Sequence, residues 1–344
     1  MTAEGKALGP RRVFVVGATG YIGRQVVQVL VARGHQVVAF ARRRSGVGGR
    51  SSEAETEATL KGAVVRYGDV SDPGSLARDG FAGEAFDAVV SCLATRSGAP
   101  ADAWRIEHQA NLNVLAAAKN AGVFHFVLLS AICVQKPLLQ FQHAKLAFER
   151  ALIDSGLDYS IVRPTAFFKS LSGQVAKVKA GGTFAIFGDG QLTACKPISE
   201  QDLALFIARC LEDPGQRNRI LPIGGPGPAV TPLQQGHLLF QLAGRPPRFR
   251  RVPVGLLDAI ISVLGLLGRL FPGLLDKAEL ARIGRYYATE SMLLWDPEKG
   301  RYDAEQTPSF GDDTLGTFYA RVLRDGLAGQ ELGDHAVFSR PPDP

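Results

Sequence analysis

The sequence has little of what builds metal centres, disulfide scaffolds or membrane spans. Four cysteines, Cys92, Cys133, Cys195 and Cys210, are scattered over 344 residues without metal-ligand spacing. That argues against a zinc site or a disulfide framework and for buried thiols in a reducing compartment. Six histidines are dispersed and none forms a pair one helical turn apart, so no metal site is expected. The apolar stretch Val252 to Leu275 is broken by Asp258, Arg269 and Pro272, too often for a confident membrane span. Internal repeats and low-complexity linkers are missing too. The first 12 residues carry neither the apolar core of a secretion signal nor a long Ser- and Arg-rich leader, so a bacterial cytoplasmic protein, or one already trimmed, is expected. Acids are scarce early in the chain: through residue 65 there are ten Lys or Arg against four Glu, a surplus equal to the net charge of +6. This suits an anionic dinucleotide better than a nucleic-acid groove, and no nucleic-acid partner is expected.

What is present begins with Val13-Phe-Val-Val-Gly17-Ala-Thr-Gly20-Tyr-Ile-Gly23-Arg24, three glycines where an apolar strand hands over to an amphipathic helix. Gly17 permits the tight turn, Gly20 lets backbone amides approach a pyrophosphate, and Gly23 lets helix and strand pack closely. Gly17, Thr19, Gly20, Tyr21, Ile22 and Gly23 are therefore assigned to a dinucleotide. The second strand ends in Arg42, Arg43 and Arg44, where an NAD enzyme usually presents an acid, and the next acid is Glu53. Guanidinium groups pair with a 2′-phosphate, which favours NADPH over NADH.

Strand-like and helix-like patterns alternate, with strands expected near 12–17, 36–41, 63–68, 87–94, 124–130 and 158–162, the pattern of an α/β, Rossmann-type doubly wound parallel sheet. Asp69 and Val70 close the third strand, where Asp69 is either an adenine contact or a plain turn residue. Leu93 and Ala94 follow the fourth strand, Ser130 the fifth, and Pro164 and Thr165 the sixth, all at the carboxyl edge where ligands bind. We expect a disordered N-terminus over 1–11, an NADP-binding domain over 12–165, a smaller C-terminal substrate lobe over 166–338 with some segments returning to the Rossmann core, and a tail over 339–344. Phe184–Phe187, a helix near 199–211 and Arg219–Ile223 are placed in that lobe. Phe167, Phe168, Phe184 and Phe187 either line an aromatic-binding cavity at the lobe junction or pack in the core. The basic lead Arg245 to Arg251 followed by apolar 252–275 reads as a buried helical hairpin, or else as a surface for membrane or greasy substrate.

One expected group is missing. In short-chain dehydrogenases that reduce carbonyls, a Tyr four residues before a Lys donates the proton, and the Lys holds the nicotinamide ribose. Here the pair reads Phe141-Gln-His-Ala-Lys145. Carbonyl reduction by that route is disfavoured. Hydride delivery to a conjugated carbon–carbon double bond remains compatible, because the acceptor itself spreads the charge. His143 lies two residues from each member of the pair and points elsewhere on the helix.

Beyond these residues, Phe126–Leu138, Val162–Leu171, Gly188-Asp-Gly190, Ala194–Glu200 and Ile283–Met292, together with the glycine turn, resemble the NADPH-dependent 3,8-divinyl chlorophyllide 8-vinyl reductases. These are atypical short-chain dehydrogenases related to the isoflavone reductase and NmrA-like group, and the likeness runs from about Arg12 to Phe338. The resemblance implies reduction of the 8-vinyl group of divinyl chlorophyllide, or of its protochlorophyllide precursor, both magnesium tetrapyrroles, in chlorophyll or bacteriochlorophyll synthesis. It implies NADPH as donor and Lys145 as the catalytic residue. Phe167, Phe168, Lys169, Cys195, Lys196, Tyr286 and Tyr287 are expected at the substrate, with Lys169 or Lys196 meeting its propionate. The proton donor is left open among Tyr286, Tyr287, Lys145 and water. A place beside photosynthetic membranes, touched through 252–275, is expected, in a plastid if the chain is a trimmed plant-type protein. Two rivals are an isoflavone- or pinoresinol-type ene-reductase and a non-catalytic NADP sensor of the NmrA kind.

Overall fold

The computed structural model describes residues 9–44, 51–95, 98–268, 270–271 and 273–327. Most of the expected disordered N-terminus and the tail over 339–344 lie outside these residues. Arg11, inside the segment expected to be disordered, is buried, and its amide donates to His35 Nδ1 at 3.1 Å.

Eleven strands are described: β1 (Arg12–Val16), β2 (Gln36–Ala41), β3 (Val64–Tyr67), β4 (Ala88–Ser91), β5 (His125–Leu129), β6 (Asp158–Pro164), β7 (Phe184–Phe187), β8 (Arg219–Ile223), β9 (Phe249–Val252), β10 (Leu294–Asp296) and β11 (Arg301–Asp303). Seven form one parallel sheet in the order β3-β2-β1-β4-β5-β6-β8. The chain reverses its direction of travel across the sheet between β1 and β4, which leaves a crevice at their carboxyl ends, the usual place for a dinucleotide. The central strands are fully buried and nearly all apolar, as strands covered on both faces must be.

The helices are α1 (Tyr21–Ala32), α2 (Glu53–Thr59), α3 (Pro73–Ser75), α4 (Pro100–Ala103), α5 (Asn111–Asn120), α6 (Gln140–Ile153), α7 (Val175–Lys179), α8 (Glu200–Glu212), α9 (Pro232–Leu242), α10 (Val254–Gly268), α11 (Gly273–Thr289) and α12 (Leu315–Asp325). One core lies between the sheet and α1 with α8, built from Val13, Val15, Val26, Leu30, Val127, Leu203 and Ile207. The opposite face carries Phe14, Phe40, Phe81, Phe126 and Phe148. A third core, with Phe168, Phe184, Leu239, Phe240 and Tyr319, belongs to the smaller lobe around β7, β9, α9 and α12.

Two expectations change. The Arg219–Ile223 strand and the helix near 199–211 belong to the main sheet and its flanking layer, not to the smaller lobe. Pro222 explains why β8 sits at an edge: it has no amide hydrogen to offer a further neighbour. The apolar hairpin does form, but it is not buried. Along α10 and its turn, Leu256, Val263, Leu266, Leu270 and Phe271 are each more than half exposed. Gly268 is the one buried residue of α10, and a Cβ there would lie 2.5 Å from Leu275 Cδ2, so the glycine allows the tight return into α11. Among the described residues, no helix is long and apolar enough to cross a membrane.

Candidate functional site

The turn after β1 has the geometry the glycines demand. Gly17 has φ +71°, and a Cβ on it would lie 2.4 Å from the Cys92 carbonyl oxygen at the end of β4. A Cβ on Gly23 would come within 2.1 Å of Gly17 O, so α1 can sit this close to the loop only without a side chain there. Gly20 caps α1, with its amide donating to Gly17 O at 3.0 Å. No acid stands in the first turn of α1, so the positive end of the helix is left for an anion. Ile22 is buried beneath that turn. Tyr21 is half-buried, its hydroxyl donating to Glu200 Oε2 and its ring 4.9 Å from Lys169 Nζ. Burial and the Glu200 carboxylate push this phenol far above its ordinary range.

Arg42, Arg43 and Arg44 emerge exposed from β2, as a 2′-phosphate site requires. Arg43 is already engaged: its Nη1 lies 2.8 Å from Glu53 Oε1 and its guanidinium stands 5.8 Å from the Tyr67 ring centre. Asp69 is exposed and accepts the Ser71 amide at 2.8 Å, while Val70 is half-buried against the phenylalanine core. Just after β4, Leu93 is half-buried against the phenylalanine core and Ala94 is exposed.

Lys145 lies on α6 beside that edge. Its Nζ is 2.7 Å from Glu107 Oε2, and the two side chains are 11% and 2% exposed. Glu107 comes from a π-helical segment, Trp104–Ala110, a geometry that recurs at functional sites. Its other oxygen accepts the Thr95 amide at 2.9 Å, which ties the pair to the loop after β4. One turn further along α6, Glu149 receives the Ser130 hydroxyl and forms a second buried ion pair with Arg163. Sequence reasoning missed Glu107, Thr95, Glu149 and Arg163. Only the four-residue spacing of Phe141, Lys145 and Glu149 on one helix face gave any hint.

Tyr286 and Tyr287, neighbours on α11, have opposite environments. Tyr286 is 3% exposed and its hydroxyl donates to the carbonyls of Cys133 (2.9 Å) and Lys136 (3.1 Å). It is a structural strut rather than the expected substrate contact. Tyr287 is 47% exposed, with Cys133 and Glu107 among its electrostatic neighbours. Its ring stands edge-on to that of Tyr286, 5.8 Å between centres. Desolvation, followed by Cys133, holds the phenol well above its usual range.

Other expected positions are spoken for. Phe168 and Phe184 are buried in the smaller lobe's core, where Phe168 packs 5.5 Å from Phe318. Phe167 is half-buried and faces Tyr21. Cys195 is buried between the Val230 and Met292 bridges, its thiol pushed up to about 12 by desolvation. Lys196 Nζ donates to Thr307 O at 3.0 Å, and Thr165 spends its amide on Ile223 O and its hydroxyl on Lys196 O. Lys196 also donates to Ser309 Oγ at 3.3 Å, so its ammonium meets only neutral oxygens here, and Thr165 ties β6 to β8 and to the Lys196 segment. Pro164 is buried and Ser130 is engaged by Glu149, which places both behind the first layer of contacts. His143 is exposed. Among the described residues, no cluster of three or more His, Cys, Asp or Glu could hold a metal.

This geometry defines a dinucleotide-binding protein with a Rossmann-type fold. The model of the NAD(P)H-binding family matches residues 17–214. The chain is 56% identical over 331 residues to the divinyl chlorophyllide a 8-vinyl-reductase of Zea mays, covering 95% of this chain and 82% of that one. It is 54% identical to the Arabidopsis thaliana enzyme of the same name over 94% of this chain and 79% of that one. Both relatives are named as chloroplastic. The fold is also that of an NADPH-dependent quinone oxidoreductase from Escherichia coli, with TM-score 0.63, 20% identity, and coverage of 91% of this chain and 100% of that one. The chain belongs to the divinyl chlorophyllide a 8-vinyl-reductase family.

Proposed function

We propose that the protein reduces the 8-vinyl group of 3,8-divinyl chlorophyllide a, or of its protochlorophyllide precursor, to an ethyl group with NADPH. The observation that carries this reading is the 56% identity over 95% of the chain to a reductase of that name. The site agrees with it. Backbone amides at the start of α1 hold the pyrophosphate, and Arg42, Arg43 and Arg44 take the 2′-phosphate. When bound, NADPH supplies a hydride to the conjugated vinyl group. Lys145, held by Glu107, positions the nicotinamide ribose, and the tetrapyrrole lies against the open ring of Tyr287. The absence of a phenol at Phe141 favours an alkene over a carbonyl acceptor.

The test is to mix the protein with NADPH and divinyl chlorophyllide and follow the Soret band. A blue shift with matching NADPH consumption is expected. Binding of NADPH with an unchanged pigment spectrum overturns the reductase reading in favour of a sensor. The exposed apolar face of α10 and the exposed Arg250 and Arg251 before it support peripheral contact with photosynthetic membranes. Co-sedimentation with anionic vesicles, lost when Val263 and Leu266 are changed to Gln, checks this contact.

A further inference from the structure

The reduction needs one proton for each hydride, and the usual donor position is occupied by Phe141, which is 9% exposed in a cluster with Cys133, Leu139, Ile283 and Tyr286. Most polar groups around Lys145 are already committed. Lys145 is bound to Glu107, and Tyr286 to two backbone carbonyls. Tyr302 donates to Glu290 at 2.7 Å. Cys133 is buried, its thiol raised by desolvation. Tyr287 differs from all of these: its ring stands 5.8 Å from that of Tyr286, which is anchored on the Cys133 carbonyl at 2.9 Å, so it lies beside the Cys133 segment with, among the described residues, no backbone carbonyl or carboxylate holding its hydroxyl by hydrogen bond. Its ring is half open, and its hydroxyl shares Cys133 and Glu107 as neighbours with Lys145.

We propose that Tyr287, delivered from α11, is the catalytic acid that takes the place of the missing phenol on α6. This rests on the reductase function proposed above. Hydride addition to the terminal vinyl carbon moves the π electron pair onto the ring-attached carbon and the macrocycle, oxidising the dinucleotide and reducing the alkene. The Tyr287 O–H bond then breaks as its proton forms the second C–H bond, at the ring-attached carbon. The phenolate left behind recovers a proton from water on its open side. A phenol held in its protonated form is always loaded for this step, and the developing carbanion is basic enough to take the proton. Glu107 and Lys145 act on the other side, as positioning groups for the ribose.

The experiment compares wild type, Tyr287→Phe and Tyr286→Phe. We expect Y287F to retain wild-type NADPH affinity by fluorescence titration and a near-wild-type melting temperature while turnover falls about 100-fold or more. In heavy water, wild type places deuterium on the ring-attached carbon in one configuration, and residual Y287F product carries it in both, as expected when bulk water replaces a fixed donor. Y286F loses stability and keeps turnover per folded molecule. If wild type is active and folded Y287F stays within about threefold of it, the assignment is overturned while the reductase function stands. An inactive wild type overturns both. Should Y287F fail to fold, 3-fluorotyrosine at position 287 keeps the ring and the donor; a proton-transfer rate that follows the altered acidity supports the assignment, and an unchanged rate overturns it.

Discussion

Lys145 and Glu107 stand 38 residues apart in sequence and form a nearly dry ion pair, Nζ to Oε2 2.7 Å, at the carboxyl edge of the sheet. Each charge is compensated only by the other and by the few groups around it, so breaking the pair from either side leaves a buried charge alone. Lys145→Met is expected to cut turnover strongly and to destabilise the fold by about 3 kcal/mol. Glu107→Gln should match it in stability but retain more activity, because the amine survives. Urea melts and single-turnover rates on both variants check this; near-normal turnover in Lys145→Met removes that residue from the mechanism.

Arg43 must leave Glu53 to meet a 2′-phosphate. The pair is solvent-exposed, so its loss costs little, of the order of 1 kcal/mol at most. Glu53→Gln should therefore tighten NADPH binding by up to about fivefold and leave NADH unchanged. Arg43→Ala should weaken NADPH by about 10-fold or more, again with little effect on NADH. Fluorescence titration with both dinucleotides distinguishes the outcomes.

Replacing Gly23 by Ala puts a methyl carbon 2.1 Å from Gly17 O, a backbone atom that cannot swing aside. The loop and α1 must separate, which moves the amides meant for the pyrophosphate. NADPH affinity should fall by at least about 100-fold even where circular dichroism reports a folded protein. Unaltered affinity would mean that the amides do not hold the dinucleotide.

His125 is fully buried on β5, with Nε2 3.0 Å from Ser160 Oγ, and burial, then the charges of Arg217 and Arg11, lower its pKa from 6.5 to about 4. The unfolded chain binds this proton more readily than the native one. The stabilisation is thus complete above pH 6.5 and is lost as pH falls toward 4, a loss of roughly 3 kcal/mol. Urea midpoints between pH 7 and 4 should show this slope, and His125→Gln should flatten it.

Much of the sheet could be read from the chain, because each parallel strand is a short apolar run closed by a turn and the glycine turn after β1 has a stereochemical cause. The edges were harder. Arg219-Ile-Leu-Pro-Ile223 has a strand's composition, but nothing local says which sheet it joins; its partner β6 lies some 60 residues earlier. Apolar α10 looked like core because apolarity usually means burial, and only the packing of α11 against Gln140 and Cys133 shows which helix of the hairpin faces inward. At the site, Lys145 was visible from its four-residue offset to Phe141. Glu107 was not, since a carboxylate in Trp104-Arg-Ile-Glu-His-Gln109 reads as a solvated helix residue until the fold brings the lysine to it. The neighbours of Lys196 and Thr165 were hidden for the same reason: Thr307, Ser309 and Ile223 are distant in sequence.

All four cysteines are unpaired and buried, and burial pushes Cys92, Cys195 and Cys210 each up to about 12 and raises Cys133 as well. None offers the accessible thiolate that oxidants, glutathione or thioredoxin-type regulators attack. With every cysteine sulfur shut away from solvent, the fold leaves thiol chemistry no foothold on its surface.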